Sequence, residues 1–252
     1  MAGGPWAKSD SVADGVTPDR LKSVEDGYHT PLEEYLETIR SLQDEGTSVI
    51  GARIAERLGR SAPAVKEMLD RLEDDGYVHR TGRVVSLTDR GQSVATTVVR
   101  RHRLAERLLV DVIGLEWHKV HAEAGRWEHV ISADVEERLI ALLGDPGTCP
   151  HGNPIPGSKA RHMGPERRLS EVTAGEVVRL QRITELIEHD HAALLVLDRG
   201  GFIPGRDGEL ISRGGDGSVV VRTDVGAVEI RAEWAAAMFV GAPLGSEVSP
   251  AS

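Results

Sequence analysis

The stretch ARIAERLGRSAPAVKEMLDRLEDDGYV, residues 52–78, reads as two short helices joined by a tight turn. Ile54 and Leu58 mark the apolar side of the first helix, and Gly59-Arg60 form the turn. Ser61 offers a hydroxyl to cap the second helix, where Pro63 is tolerated because a first-turn N–H has no partner anyway. Val65, Met68, Leu69 and Leu72 then recur at the three-four spacing of a buried helical face. Downstream, Tyr77–Arg80 and Arg83–Leu87 flank Thr81-Gly82, the pattern of a β-hairpin. Upstream, a helix pattern starts at Thr30, with Leu32, Tyr35, Leu36 and Ile39 on one face. Helix, helix-turn-helix and hairpin in that order predict a winged helix over residues 30–100.

Thr88 is expected to cap a long helix reaching about Ile113, with further helices over 117–130 and 132–143. Residues 101–148 therefore form a helical domain, and 149–172, with GNPIPG and HMGPER, a Pro/Gly-rich linker. Short apolar runs such as AALLVL, GSVVV and AVEI follow, so residues 173–243 read as a small β-barrel-like module. Residues 1–29 read as a flexible arm and 244–252 as a tail. The predicted class is mainly α with small β parts.

With 252 residues and 40% hydrophobic side chains the chain can bury several cores, and no apolar run is long enough for a membrane span. With no apolar leader core either, the expected location is cytoplasmic. The single cysteine, Cys149, excludes an internal disulfide and any CxxC knuckle. The formal charge is −10, which argues against nucleic acid until its distribution is considered. Residues 47–107 hold twelve Lys/Arg against eight Asp/Glu, a local positive excess where a winged helix would meet phosphates. There the start of the second helix would enter a major groove, exposing Ser61, Pro63, Ala64 and Lys66. Arg60 lies in the turn, and Arg80 and Arg83 on the wing would sit near the backbone or minor groove.

Carboxylates and imidazoles recur at spacings that share a helix face. Glu34 and Glu37 are i, i+3. His102 and Glu106 are i, i+4, and His121, Gly125, Glu128 and His129 follow the same face of a later helix. Oxygen and imidazole donors without a thiolate suit Mn(II), and Fe(II) acceptably. No HExxH or comparable hydrolase motif occurs, so a regulator rather than an enzyme is expected. A metal-independent winged-helix interaction protein is the alternative from another class.

The segments 52–78, RRHRLAERLLVDVIGLEWHKVHAEAGRWEHVISADVEERL (100–139) and GNPIPG (152–157) together resemble the DtxR/MntR family of metal-dependent transcriptional repressors, on its iron-regulator side. The resemblance implies a winged helix, a helical dimerisation domain and a C-terminal SH3-like or FeoA-like barrel. It also implies a homodimer on palindromic double-stranded operator DNA, with two dimers per operator as one arrangement, and two Mn(II) or Fe(II) sites per subunit. Control of metal uptake is the usual output of such proteins.

By the same resemblance, His102, Glu106 and His121 match an ancillary site to which Asp190 of the C-terminal module would contribute. Ala193 stands at a second ligand position there, with His189 and His191 close enough to substitute. Glu128 and His129 match a primary site, to which Glu34 and Glu37 add carboxylates as in the manganese branch. Gly125 departs from the pattern, standing where relatives place a cysteine or glutamate. With both sulfur ligands absent, Mn(II) is the expected signal and Fe(II) the second choice.

Overall fold

The computed structural model describes residues 31–159 and 165–243. The expected arm and tail, and part of the expected linker, lie outside the described residues. Helix α1 (Pro31–Asp44), α2 (Gly51–Leu58) and α3 (Ala62–Asp74) are followed by strands β1 (Val78–Thr81) and β2 (Val84–Leu87). Tyr35, Leu36, Ile39, Ile54, Val65, Leu69 and Leu72 form one core with Val78 and Val85. Helix α2 ends at Gly59, whose φ of 60° is the left-handed conformation that only a residue without Cβ adopts freely. The Ser61 hydroxyl accepts a hydrogen bond from the Ala64 N–H and so starts α3. Val78 pairs with Leu87 and Thr81 with Val84 in the antiparallel wing.

Helix α4 (Asp89–Leu108) is the spine of the chain. Its first turn is capped by the Thr88 hydroxyl, which accepts from the Gly91 N–H. Ala95 on α4 packs into the winged-helix core, whereas Leu104, Ala105 and Leu109 belong to a second core with Val120, Ala124 and Leu139. The end of α4 widens into a π turn, Leu109–Ile113, and stops at Gly114. Helices α5 (Val120–Trp127) and α6 (Ala133–Leu143) complete this helical part.

The C-terminal part is a six-stranded antiparallel sheet in the order β3-β8-β4-β5-β6-β7. Its strands are β3 (Arg167–Arg168), β4 (Val177–Ile183), β5 (Asp207–Arg213), β6 (Val219–Arg222), β7 (Ala227–Ile230) and β8 (Met238–Gly241). Short helices α7 (Glu185–Glu188) and α8 (His191–Arg199) follow β4, and α9 (Ala232–Ala236) precedes β8. Phe202, Leu180, Leu194, Leu197 and Val221 fill its interior. Residues 167–172, which composition groups with the linker, contribute β3 and the buried Leu169 and Val172 to this module. Two apolar side chains spaced by polar ones over so short a stretch carry no readable period. Trp117 of the helical part also enters the barrel core. Among the described residues no helix is long and apolar enough to cross a membrane.

The segment Cys149–Ile155 is not a loose connector. The His151 carbonyl accepts from the Ile183 N–H at 3.1 Å, and the Asn153 amide donates to the Ile183 carbonyl at 2.9 Å. Trp117 Nε1 donates to the Pro150 carbonyl at 3.0 Å. Gly152, at φ 86°, touches β4 so closely that a Cβ there would lie 1.9 Å from the Gln181 carbonyl oxygen. The substitution G152A should therefore lower stability by about 1–3 kcal/mol from backbone strain alone, with the clash adding to it. A thermal-unfolding midpoint equal to that of the parent protein would refute this account of the segment.

Candidate metal centre

One helical turn separates His102 from Glu106, so α4 presents both side chains toward α5. From α5 come His121 and, at and beyond its C-terminus, Glu128 and His129. Glu37 reaches in from α1, His151 from the fixed segment before the barrel, and Glu188 from α7. These residues form two adjoining groups, Glu37–His102–Glu128 and Glu106–His121–His151–Glu188. Within each group, one potential ligand atom per residue lies within 4.8 Å of all the others.

His102 joins the groups. Its Nε2 is 3.1 Å from Glu106 Oε1 and 3.0 Å from His121 Nδ1, and its Nδ1 is bonded to Glu128. His151 Nδ1 lies 2.9 Å from Glu106 Oε1, and His121 Nδ1 lies 3.2 Å from Glu188 Oε2. His129 Nε2 is 2.9 Å from Glu128 Oε1. Glu106 Oε2 and His151 Nε2 are buried without a hydrogen-bond partner. Such orphaned donor atoms cost free energy unless a further group meets them, and a divalent cation bound by oxygen and nitrogen fits.

The electrostatics point the same way. Burial pushes the Glu37 carboxyl well above its ordinary range, and the Glu128 charge pushes it further. Burial also disfavours the Glu128 carboxylate, but the charge and hydrogen bonds of His102, with His129, bring it down to about 2. His121 is pushed down by burial, yet its hydrogen bonds to Glu106 and Glu188 carry it to about 10. His129 likewise overcomes burial through Glu128 and Glu33 and rises to about 9. His189 is different: lost hydration, then the charge of His121, hold it down to about 4, so its ring is neutral. The centre thus stores protons on imidazoles that a metal would need as lone pairs.

The structure brings Glu37, His102, Glu106, His121, Glu128 and His129 together. His102 stands between the two: it groups with Glu37 and Glu128 while staying 3.1 Å from Glu106 and 3.0 Å from His121 of the expected ancillary set. Glu34 borders the cavity but lies 3.7 Å from Arg60, and its neighbour Glu33 meets His129 Nδ1 at 2.5 Å. Gly125 faces the cavity with open space where a Cβ would stand. Asp190 does not join: its carboxylate caps α8, accepting from the Ala192 and Ala193 N–H groups, and accepts from Trp234 Nε1 at 3.2 Å. Glu188, two residues earlier, occupies the place expected of it, and Asn153 donates to its carboxylate at 2.5 Å. His191 stands by His118, with ring centroids 5.5 Å apart.

Sequence spacing missed His151, Glu188 and the buried thiol of Cys149, which burial and then the nearby carboxylates of Glu106 and Glu188 push up. The signal for His151 was present, since it directly precedes GNPIPG. What could not be read was that a turn-rich segment would bury an imidazole completely.

On the winged helix, Ser61, Pro63, Ala64 and Lys66 are exposed at the start of α3, and Arg60 and Arg83 are exposed beside it. Arg80 is not a free wing cation. Its guanidinium lies 2.7 Å from Asp70 and 2.5 Å from Glu73, bracing the wing against α3. Lys66 is paired with Asp70 at 2.7 Å, but remains mostly exposed.

Comparison with known proteins follows the same division. Residues 29–83 match the family described as iron dependent repressor, N-terminal DNA binding domain. Residues 88–157 match the iron dependent repressor, metal binding and dimerisation domain. The chain is 47% identical over 183 residues to the iron-dependent repressor IdeR of Mycobacterium tuberculosis, covering 68% of this chain and 80% of that one. It is 40% identical over 216 residues to the diphtheria toxin repressor of Corynebacterium glutamicum, covering 80% and 95%. Among solved structures, a manganese-dependent transcriptional repressor in complex with manganese aligns with a TM-score of 0.73 at 31% identity, over 84% of this chain and 99% of that chain.

Because His121 and His129 hold protons near neutral pH, loading a divalent metal should release protons. The sign follows directly: raised imidazole values favour the proton over the metal, so apparent Mn(II) affinity should rise from about pH 6.5 to about pH 8.5. Adding Mn(II) to weakly buffered protein should acidify the solution. A pH electrode that records no release, with affinity flat across that range, would contradict the assignment of these imidazoles.

Proposed function

Since the chain belongs to the family of iron-dependent repressors, we propose that it is a homodimeric repressor of metal-homeostasis genes, activated by Mn(II) at a palindromic operator. The observation that carries this is the paired carboxylate–imidazole centre at the meeting point of α1, α4, α5 and α7. A cation bound there ties the winged helix, the helical part and the barrel to one another. Binding of that kind shifts a flexible population towards one arrangement, by as much as its affinity for that arrangement exceeds its affinity for the others.

Carboxylates outnumber the imidazole in the first group and match the two imidazoles of the second, and hard oxygen donors favour Mn(II) among the two metals considered. DNA would meet Ser61, Pro63, Ala64 and Lys66 at the α3 N-terminus, with Arg60 and Arg83 near phosphates. The dimer face is proposed where the helical part exposes Val112, Ile113, Val130, Val135 and Leu142. Exposed large apolar side chains are what an association surface in this part of the chain would cover. Two dimers on one operator remain part of the proposal.

A second reading, Fe(II) as the signal, is favoured by one observation. The Cys149 thiol beside Glu106 adds a softer donor at the edge of the second group. Anaerobic titrations of Mn(II) and Fe(II), scored by retention of a palindromic promoter fragment, separate the two. Retention at lower Mn(II) than Fe(II), abolished by chelator, is the expected result. The opposite order selects the iron reading, and retention indifferent to both metals removes metal activation altogether. Replacing Leu142 with Glu should convert the dimer to monomer in sedimentation and abolish operator retention, while metal uptake per subunit persists. A dimer unchanged by L142E would displace the interface from this face.

A further inference from the structure

The Glu37–His102–Glu128 group offers three donors, short of the near-octahedral set that Mn(II) prefers. Along α5, Gly125 lies on the same face as His121, Glu128 and His129 but contributes no side chain. A Cβ built there meets no atom within 4 Å, so the position opens onto unfilled space. That space belongs to a cavity of about 210 Å3 lined by Glu37, His102, Gly125, Glu128, His129 and His189.

His189 enters this cavity from the barrel side, at the C-terminal end of α7. Its ring stands edge-on to His121, with centroids 4.7 Å apart and planes at 83°. Among the described residues, neither ring nitrogen of His189 takes part in a hydrogen bond or ion pair, although six carboxylates, those of Glu34, Glu37, Glu106, Glu128, Glu185 and Glu188, line or adjoin the same space. Every other imidazole of the two groups is bonded to at least one of those carboxylates. A histidine held at the mouth of a donor-poor site, with both nitrogens unengaged, is in a condition to ligate.

We propose that His189 supplies the imidazole donor that completes the Glu37–His102–Glu128 metal group, in the space that Gly125 leaves open. The inference rests on reading that group as a metal site. Its consequence is that adjacent residues of one short helix serve both groups, Glu188 the one and His189 the other. Filling either group then orders α7 for its neighbour, which makes the two metals bind with positive coupling.

The test uses the full chain with histidine replaced by a ring that keeps the contact with His121 but has no nitrogen, H189F. Mn(II) binding is followed by the loss of the free-ion electron paramagnetic resonance signal. The parent should take up two ions per subunit. H189F should keep one class of site and weaken the other by at least about tenfold, since even residues that only orient a ligand contribute that much. Adding G125E to H189F places a carboxylate in the open space and should restore the second class. In Co(II)-loaded parent protein, one hyperfine-shifted ring N–H resonance should vanish on H189F substitution.

Two intact classes of site in H189F would overturn the assignment while leaving the metal reading untouched. Weakening that G125E does not repair would make His189 an orienting neighbour of His121 and would also overturn it. A parent protein that takes up neither Mn(II) nor Co(II) would remove the metal reading and this inference together.

Discussion

Five carboxylates, those of Glu37, Glu106, Glu128, Glu185 and Glu188, converge on one largely dehydrated seam, and the rest of the structure is arranged around neutralising them. Taking a carboxylate out of water costs several kcal/mol unless charge and hydrogen bonds are supplied in return. Four imidazoles, His102, His121, His129 and His151, supply much of that compensation. The carboxylates come from α1, α4, α5 and α7, so the pairing is also a statement about how these elements must sit. Separating the barrel from the helical part would leave Glu188 without His121, and would free the segment that carries His151 to Glu106 from its anchorage on Ile183. Apolar packing builds three cores, but the charges decide how the cores are joined.

The same seam reaches the DNA-binding part through Glu185. Its carboxylate accepts from the Ser41 hydroxyl and lies 3.4 Å from Arg57, which also holds Glu45 at 2.9 Å. Arg168 of the barrel donates to the Glu45 carbonyl as well. The side chains of Arg57, Glu45 and Glu185 are no more than 14% exposed, so solvent screens them far less than a surface pair. The contrast with Lys66–Asp70 is instructive: there the lysine is 74% exposed and solvent leaves the pair worth little. Lys66 can therefore exchange its carboxylate for a phosphate at small cost, whereas Arg57 is held in place. Helix α2, which carries Arg57, leads directly through Gly59 into α3. A change at the centre that moves α7 thus bears on α3 through two short connections, the Glu185–Arg57 pair and the turn at Gly59.

How much of this was legible in the sequence depended on whether a local period carried it. The helix-turn-helix, its Ser61 cap and the wing follow from apolar spacing and turn chemistry, and the structure has them. The carboxylate–imidazole centre was legible where ligands sit four apart on one helix, as His102 and Glu106 do. It was illegible where phase depends on a neighbour. Glu33 and Glu34 differ by about 100° around α1, and only the packing of α1 against the helical part decides which of them meets His129. Glu188 and Asp190 are two residues apart in ITELIEHDH, but a helix ends between them. Glu188 closes α7 and looks inward, whereas Asp190 begins α8 and is used up as its cap. Arg80 has the composition of a phosphate contact, and only the approach of β1 to α3 shows that Asp70 and Glu73 already hold it.

The proton inventory of the centre explains how so polar a seam tolerates the metal-free condition. His121 and His129 carry positive charge at neutral pH because the carboxylates around them require it. A divalent cation therefore does not enter an uncompensated acidic hole; it exchanges with protons already there, leaving the net charge of the seam nearly unchanged. Net attraction then contributes little to discrimination, and the difference between the two conditions lies in direction and reach. A proton on an imidazole satisfies one carboxylate at a time, as His151 does with Glu106. A metal ion demands several donors at once at fixed distances, so it draws α1, α4, α5 and α7 to a common point. Selectivity among cations must then come from how many donors the seam can deliver to that point, and the open space at Gly125 is a place on its lining where no side chain is delivered.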